Sequence, residues 1–250
     1  ALIETRFYKE NYGKYPIPIL RAMNFYEICK QKTIYIGKDE LIVGERGPKP
    51  KCVPTFPELT CHSVEDLHVL NTRELQRYTI SQEDIDTYER EVIPYWKGRT
   101  QRERIFSHVP QEWKEAYEVG MFTEFMEQRA PGHTALDGKV YKYGLLDLKE
   151  CIRKELDGLD FMNDPEATDK QEELTAMSIS CDAAILFAER HADLADEMSL
   201  TEKDPKRAAE LRRIAEVCRQ VPAHAPRDYW EAIQMYWFVH LGTILSLIHI

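Results

Sequence analysis

The chain has 250 residues, enough for one large domain or two small ones. Hydrophobic residues make up 43% and charged residues 30%, the balance of a soluble globular protein. A net charge of −10 argues against a nucleic-acid or membrane-surface binder, which needs a basic face, and no apolar run is long enough to span a bilayer.

The first sixty residues mix short helix with extended segments. Thr33–Ile36 and Leu41–Val43 are β-prone runs flanking Gly37-Lys38-Asp39-Glu40, which predicts a small hairpin. Pro48, Pro50, Pro54 and Pro57 then impose an irregular passage. Helical signals follow. Ser63 with Asp66, and Ser81 with Asp84, form capping-box starts with Asp in place of the usual Glu. The second opens a long helix that Pro94 should kink near Val92. Pro110 precedes a further helix carrying Trp113, Tyr117 and Phe125, stopped by Pro131-Gly132.

Leu145–Leu156 reads as helix. Leu174, Met177, Cys181, Ala184, Ala188, Ala195 and Met198 keep i, i+3, i+4 spacing through an amphipathic helix of about seven turns. Asp204 as N-cap before Pro205 starts the next helix, with Ala208, Leu211, Ile214 and Cys218 on its stripe. Pro226 opens the last, which is apolar almost all round between Gln234 and Ile244 and needs cover on more than one side. The expected architecture is a mostly α-helical unit with a small N-terminal β element.

The six cysteines (Cys29, Cys52, Cys61, Cys151, Cys181, Cys218) include no C-x-x-C pair, so no metal site is expected and reduced cytoplasmic thiols are. The KDEL string at 38–41 is internal and is no retrieval signal. There is no Gly-rich phosphate loop, no H-E-x-x-H and no G-x-S-x-G. Glu103 with His108, or Glu189 with His191, could be written as acid/base pairs, but such pairs are usually solvated helix faces. Without an initiator Met, and with a buried-type helix at its end, the chain reads as a fragment. Residues 1–244 are expected to form one incomplete domain, and 245–250 a non-native tail.

Three passages stand out. Ile93-Pro-Tyr-Trp-Lys-Gly-Arg99 sets an aromatic pair beside two cations and reads as a kinked helix turning Tyr95 and Trp96 inward. The run Gly120–Thr134 ends in Pro-Gly-His-Thr, which projects His133 from a rigid turn. Gln220-Val-Pro-Ala-His-Ala-Pro226 leads into Ile233-Gln-Met-Tyr-Trp-Phe-Val-His240. Together with Glu40–Gly47 and Thr55-Phe-Pro-Glu58, these strings resemble the glycyl radical enzymes related to pyruvate formate-lyase, and within them the hydroxyproline-dehydratase branch. The resemblance runs from the first residues to about Gly242, and Phe122–Thr134 is its most specific part.

That resemblance implies an α/β barrel wrapped by helices, of which this is the mostly helical N-terminal portion. It implies a protein-derived glycyl radical rather than a bound cofactor. The partners it implies are an S-adenosylmethionine-dependent radical activating enzyme, a hydroxyproline-like small-molecule substrate and a second subunit in a homodimer. The radical passes to a catalytic cysteine in a Gly-Cys-Val-Glu-like loop; neither that loop nor a radical glycine loop is in this sequence, so no catalytic residue is assigned and the chain is expected to be inactive alone. By the same resemblance Phe125 lines the substrate pocket with an apolar wall and His133 supplies a polar contact. The alternatives are another glycyl radical enzyme, of the formate acetyltransferase or diol dehydratase type, or a non-catalytic helical interaction module.

Overall fold

The computed structural model describes residues 1–49, 52–121 and 136–245. In chain order its helices are α1 (Leu2–Asn11), α2 (Ile17–Gln31), α3 (Val64–Thr72), α4 (Gln82–Thr87), a π turn Tyr88–Val92, α5 (Ile93–Trp96), α6 (Gln101–His108) and α7 (Gln111–Glu118). A 3-10 turn, Asp137–Tyr141, then leads to α8 (Leu145–Asp157), α9 (Ala167–Thr201), α10 (Pro205–Gln220) and α11 (Tyr229–Leu245). The chain divides into two compact units. One gathers Ala1–Glu10 and residues 54–121, the other Asn11–Val53 and residues 136–245.

The first unit is built from short helices set by local signals. Both expected capping boxes form. Ser63 Oγ accepts from the Asp66 N–H (3.1 Å) while Asp66 accepts from the Ser63 N–H (2.9 Å), and Ser81 and Asp84 repeat the arrangement. An Asp side chain is therefore long enough to close the box. Pro94 has no N–H and its ring crowds the carbonyl four residues back; the backbone answers with the π turn Tyr88–Val92, where the kink was expected. Trp96 is buried and its indole N–H donates to Thr5 Oγ1 at 2.8 Å, while Tyr95 stays half-buried under the Arg99 guanidinium. The helix after Pro110 differs from expectation. It stops at Glu118, short of Phe125, because Gly120 takes a left-handed φ of +72°. The Gly120 and Met121 N–H groups then turn back onto the Tyr117 and Ala116 carbonyls, both at 3.0 Å, in a Schellman closure.

In the second unit α9 is the spine. It runs 35 residues, about ten turns rather than seven, and packs chiefly on α2 and α10. Ala183, Ala188, Ala192 and Ala195 are fully buried along it, so small side chains admit close helix approach, and Phe187 meets Phe238 edge-on in the cluster that also holds Phe25, Leu211 and Leu241. Asp204 caps α10 by accepting from the Lys206 N–H at 2.9 Å. The expected cover on α11 is present on one side, where Met235, Phe238 and Leu241 have almost no exposure.

The expected hairpin is absent; no strand occurs among the described residues. Gly37 and Glu40 do make a turn, but the flanking runs do not pair with one another. Their backbone groups are met by helix side chains instead. Gln234 accepts from the Val43 N–H and donates to the Val43 carbonyl, both at 2.8 Å, as a neighbouring strand would. Trp230 and Trp237 donate to the Leu41 and Gly44 carbonyls, and Arg207 to those of Gly37 and Glu40. The buried Lys32 ammonium donates to the Glu45 and Gly47 carbonyls, and burial draws its pKa down to about 8. Gly44 is required twice over: its φ is +113°, and an added Cβ would lie 2.8 Å from Leu241.

Candidate functional site

The two expected pocket residues, Phe125 and His133, lie outside the described residues. The backbone just beyond them is tightly fixed. Leu136 and Asp137 hold consecutive positive φ values of 70° and 49°, a conformation that non-glycine residues keep only where their surroundings enforce it. Leu136 packs against two apolar clusters, one around Val140 and Met235 and one around Leu145 and Ile152. Farther on, the Leu145 and Leu146 N–H groups donate to the Pro222 and Ala223 carbonyls at 2.8 and 3.0 Å. Gly144 sits against that turn so closely that a Cβ would meet the Ala223 carbonyl at 2.2 Å. The Val-Pro-Ala-His-Ala-Pro passage is thus the seat on which the chain leaving the predicted site is stitched down.

Neither acid/base pairing written from the sequence survives. Glu103 is occupied at the start of α6. Burial would raise its pKa, but hydrogen bonds from the Gly98 N–H and from the hydroxyl and N–H of Thr100 outweigh that and hold it below the ordinary range. His108 instead faces the Arg104 carbonyl and the Ser107 hydroxyl. His191 is buried between Phe187 and Phe238, its Nδ1 2.7 Å from the Phe187 carbonyl. Burial lowers its pKa to about 4, so it is a neutral core group at physiological pH.

Four of the six thiols are held in their neutral form. Burial pushes Cys29 and Cys218 to about 12 and Cys61 and Cys181 to about 11. Among the described residues no cluster of three His, Cys, Asp or Glu side chains could hold a metal.

The structure adds a polar cleft of about 660 Å³ that sequence reading missed, bordered by α10, the 221–228 turn and the start of α11. At its floor Glu231 has no exposure. Burial alone would raise its pKa, yet the Arg227 guanidinium and N–H hold it low, and Arg213 lies 3.5 Å away. Arg213 also pairs with Glu216 and Asp228, and Arg219 with Asp193 and Asp196. Every cation there already has a carboxylate partner, so the cleft is a balanced ionic network that knits α10 to α11. The charges are plain in the sequence, but their convergence requires the turn.

Among the described residues the structure thus shows a helical body with four thiols that burial holds protonated and a balanced ionic cleft. The model of the family described as pyruvate formate lyase-like matches residues 1–247, and the chain belongs to that family. It is 46% identical to trans-4-hydroxy-L-proline dehydratase of Clostridioides difficile over 247 residues, which is 99% of this chain and 31% of that protein. The crystal structure of the C. difficile hydroxyproline dehydratase with trans-4-hydroxy-L-proline bound superimposes with a TM-score of 0.93, at 45% identity, over 98% of this chain and 31% of the other. A 1,2-propanediol-dehydrating protein of Roseburia inulinivorans gives a TM-score of 0.92 at 31% identity, again over 98% of this chain and 31% of that one. The chain therefore spans about a third of the length of its relatives.

Proposed function

We propose that this chain is the N-terminal third of a cytoplasmic glycyl radical dehydratase that removes water from trans-4-hydroxy-L-proline to give a pyrroline carboxylate. The observation that carries this reading is 46% identity sustained over 99% of the chain. The same backbone serves a propanediol-dehydrating protein at 31% identity, so substrate choice rests on side chains and not on the fold. In the whole enzyme Phe125 presents an apolar wall to the pyrrolidine ring and His133 a polar contact to the amino acid. The glycyl radical is installed by an S-adenosylmethionine-dependent activating enzyme, and two subunits form a dimer. Because the sequence holds neither a Gly-Cys-Val-Glu loop nor a radical glycine loop, the 250-residue chain by itself does no lyase chemistry.

The test is anaerobic incubation with the activating enzyme, S-adenosylmethionine and either hydroxyproline or 1,2-propanediol. The full-length protein should give an organic radical signal and consume hydroxyproline, and the 250-residue chain should do neither. Consumption of the diol alone would overturn the substrate. For His133→Ala in the full-length protein, kcat/KM for hydroxyproline should fall roughly ten- to a hundred-fold, from one lost hydrogen bond of about 1.5–3 kcal/mol, with glycyl radical content unchanged. Unchanged efficiency would remove His133 from the pocket.

A further inference from the structure

One described side chain next to the predicted pocket segment is held at a conformational cost. Leu136 has φ 70° and ψ −3°, in the left-handed region, where a residue with a Cβ is crowded. Asp137 follows at φ 49°, which Asp tolerates better than most residues. Gly138 could take such a conformation freely and does not, and a Cβ added to it would meet nothing within 4 Å. The turn thus sets a leucine where a glycine would fit without strain. Such a backbone persists only where its surroundings over-determine it.

The surroundings are apolar and come from two sides. Leu136 packs against the cluster of Val140, Val217 and Met235 and also against that of Leu145, Ile152 and Cys181, and it is the described side chain that the two share. Those residues belong to α8, α9, α10 and α11 and to the 3-10 turn, so one side chain ties the turn to four helices. The Leu136 carbonyl also accepts from the Lys139 N–H at 3.1 Å, which starts the turn. His133 lies three residues upstream, at most about 11 Å along the chain. Phe125 is eleven residues upstream, a reach of up to about 40 Å, too long for Leu136 to constrain it.

We infer that Leu136 is a positioning residue for His133: packed on both clusters, it fixes the end of the segment that carries the imidazole. The inference rests on the proposed place of His133 in the substrate pocket and adds how the imidazole is set there. A hydrogen bond weakens steeply as its geometry departs from the ideal. A misplacement of about 1 Å can cost up to about a hundredfold in rate. An apolar wall is non-directional and tolerates such a shift, so the polar contact is the one that needs the anchor.

The test uses the full-length protein, activated anaerobically, with kcat/KM for hydroxyproline read beside glycyl radical content. Leu136→Ala removes the anchoring side chain, and Leu136→Gly removes side chain and strain together. Both should lower kcat/KM roughly tenfold at unchanged radical content, whereas Leu136→Met, which nearly keeps the volume, should stay within about twofold. The deciding variant is the double substitution. If Leu136 acts through the imidazole, His133→Ala with Leu136→Ala should match His133→Ala alone to within about twofold. Losses that multiply would overturn the inference and leave His133 in the pocket. Full efficiency in Leu136→Gly would overturn it as well, as would radical content that falls in step with turnover, the mark of a residue that only packs. A silent His133→Ala would remove the pocket reading, and this inference with it.

Discussion

Helices α6 and α7 bury no residue, whereas α9 alone buries ten. The difference separates two ways of holding a helix. In α6 and α7 most of the work is local: Thr100 and Glu103 close a capping box, Arg102 lies over the Phe106 and Tyr117 rings, and Trp113 stacks on Tyr117. The Gln101 and Arg102 N–H groups reach further, to the Glu58 and Leu59 carbonyls. An eight-residue helix with no fully buried residue is marginal, so each of these small terms matters. In α9 to α11 the helices are long, and burial of apolar side chains at about 1.5–3 kcal/mol each dominates. Polar groups there act at long range, as Gln234 does on Val43 across 191 residues.

If that contrast is right, the largest loss should come from a polar side chain in the burial-dominated region. Gln234→Leu keeps much of the volume but leaves the Val43 N–H and carbonyl buried without partners. Each orphaned group costs about 1–3 kcal/mol, so the loss should total about 2–6 kcal/mol in urea denaturation. A change below about 1 kcal/mol would mean that the segment around Val43 is held by apolar contact alone.

His191 gives the next effect, through pH. Its folded pKa, held near 4 by burial, lies below the ordinary 6.5. Between these values the unfolded chain binds the proton more readily. The contribution is therefore complete above pH 6.5 and is lost as pH falls toward 4, by up to about 3 kcal/mol. Urea midpoints of His191→Phe should be flatter over that window than those of the unsubstituted chain. Parallel pH profiles would show that the imidazole does not titrate with folding.

Legibility in the sequence follows the same division. Ser63, Ser81 and Asp204 announced their helices correctly because a cap is a contact between residues two or three apart. Pro94 and its kink were legible for the same reason. Gly120 was an available stop signal for α7, and the sequence reading ran past it to Phe125. The hairpin failed differently. Thr33–Ile36 and Leu41–Val43 carry the β-branched residues of strands but form none, and nothing nearby in sequence shows that Arg207, Trp230, Gln234 and Trp237 will take up their backbone groups instead. Lys32 was invisible as a buried charge because the Glu45 and Gly47 carbonyls reach it only in the folded chain, and Glu231, though its Arg227 partner is four residues away, gave no sign of being buried. The family resemblance was carried by strings such as Trp96–Arg99, whose part in this structure is packing and turn formation. Phe125 and His133 remain sequence-derived.

The smallest effect probes the locally held helices. Thr100 is nearly buried, and its hydroxyl oxygen accepts from the Glu103 N–H at 3.0 Å. Thr100→Ala removes that acceptor and one of the donors to the Glu103 carboxylate, which still accepts from the Gly98 N–H. Loss of an N-cap of this kind costs about 1 kcal/mol. Because α6 has no fully buried residue, the loss should be local: amide exchange over Gln101–His108 should quicken about fivefold, while exchange in α9 and α10 stays as it was. Thr100→Ser keeps the acceptor and should restore slow exchange. If Thr100→Ala instead quickened exchange throughout α9, the two regions would be melting as one cooperative body, and the separation between locally capped and burial-held helices would fail.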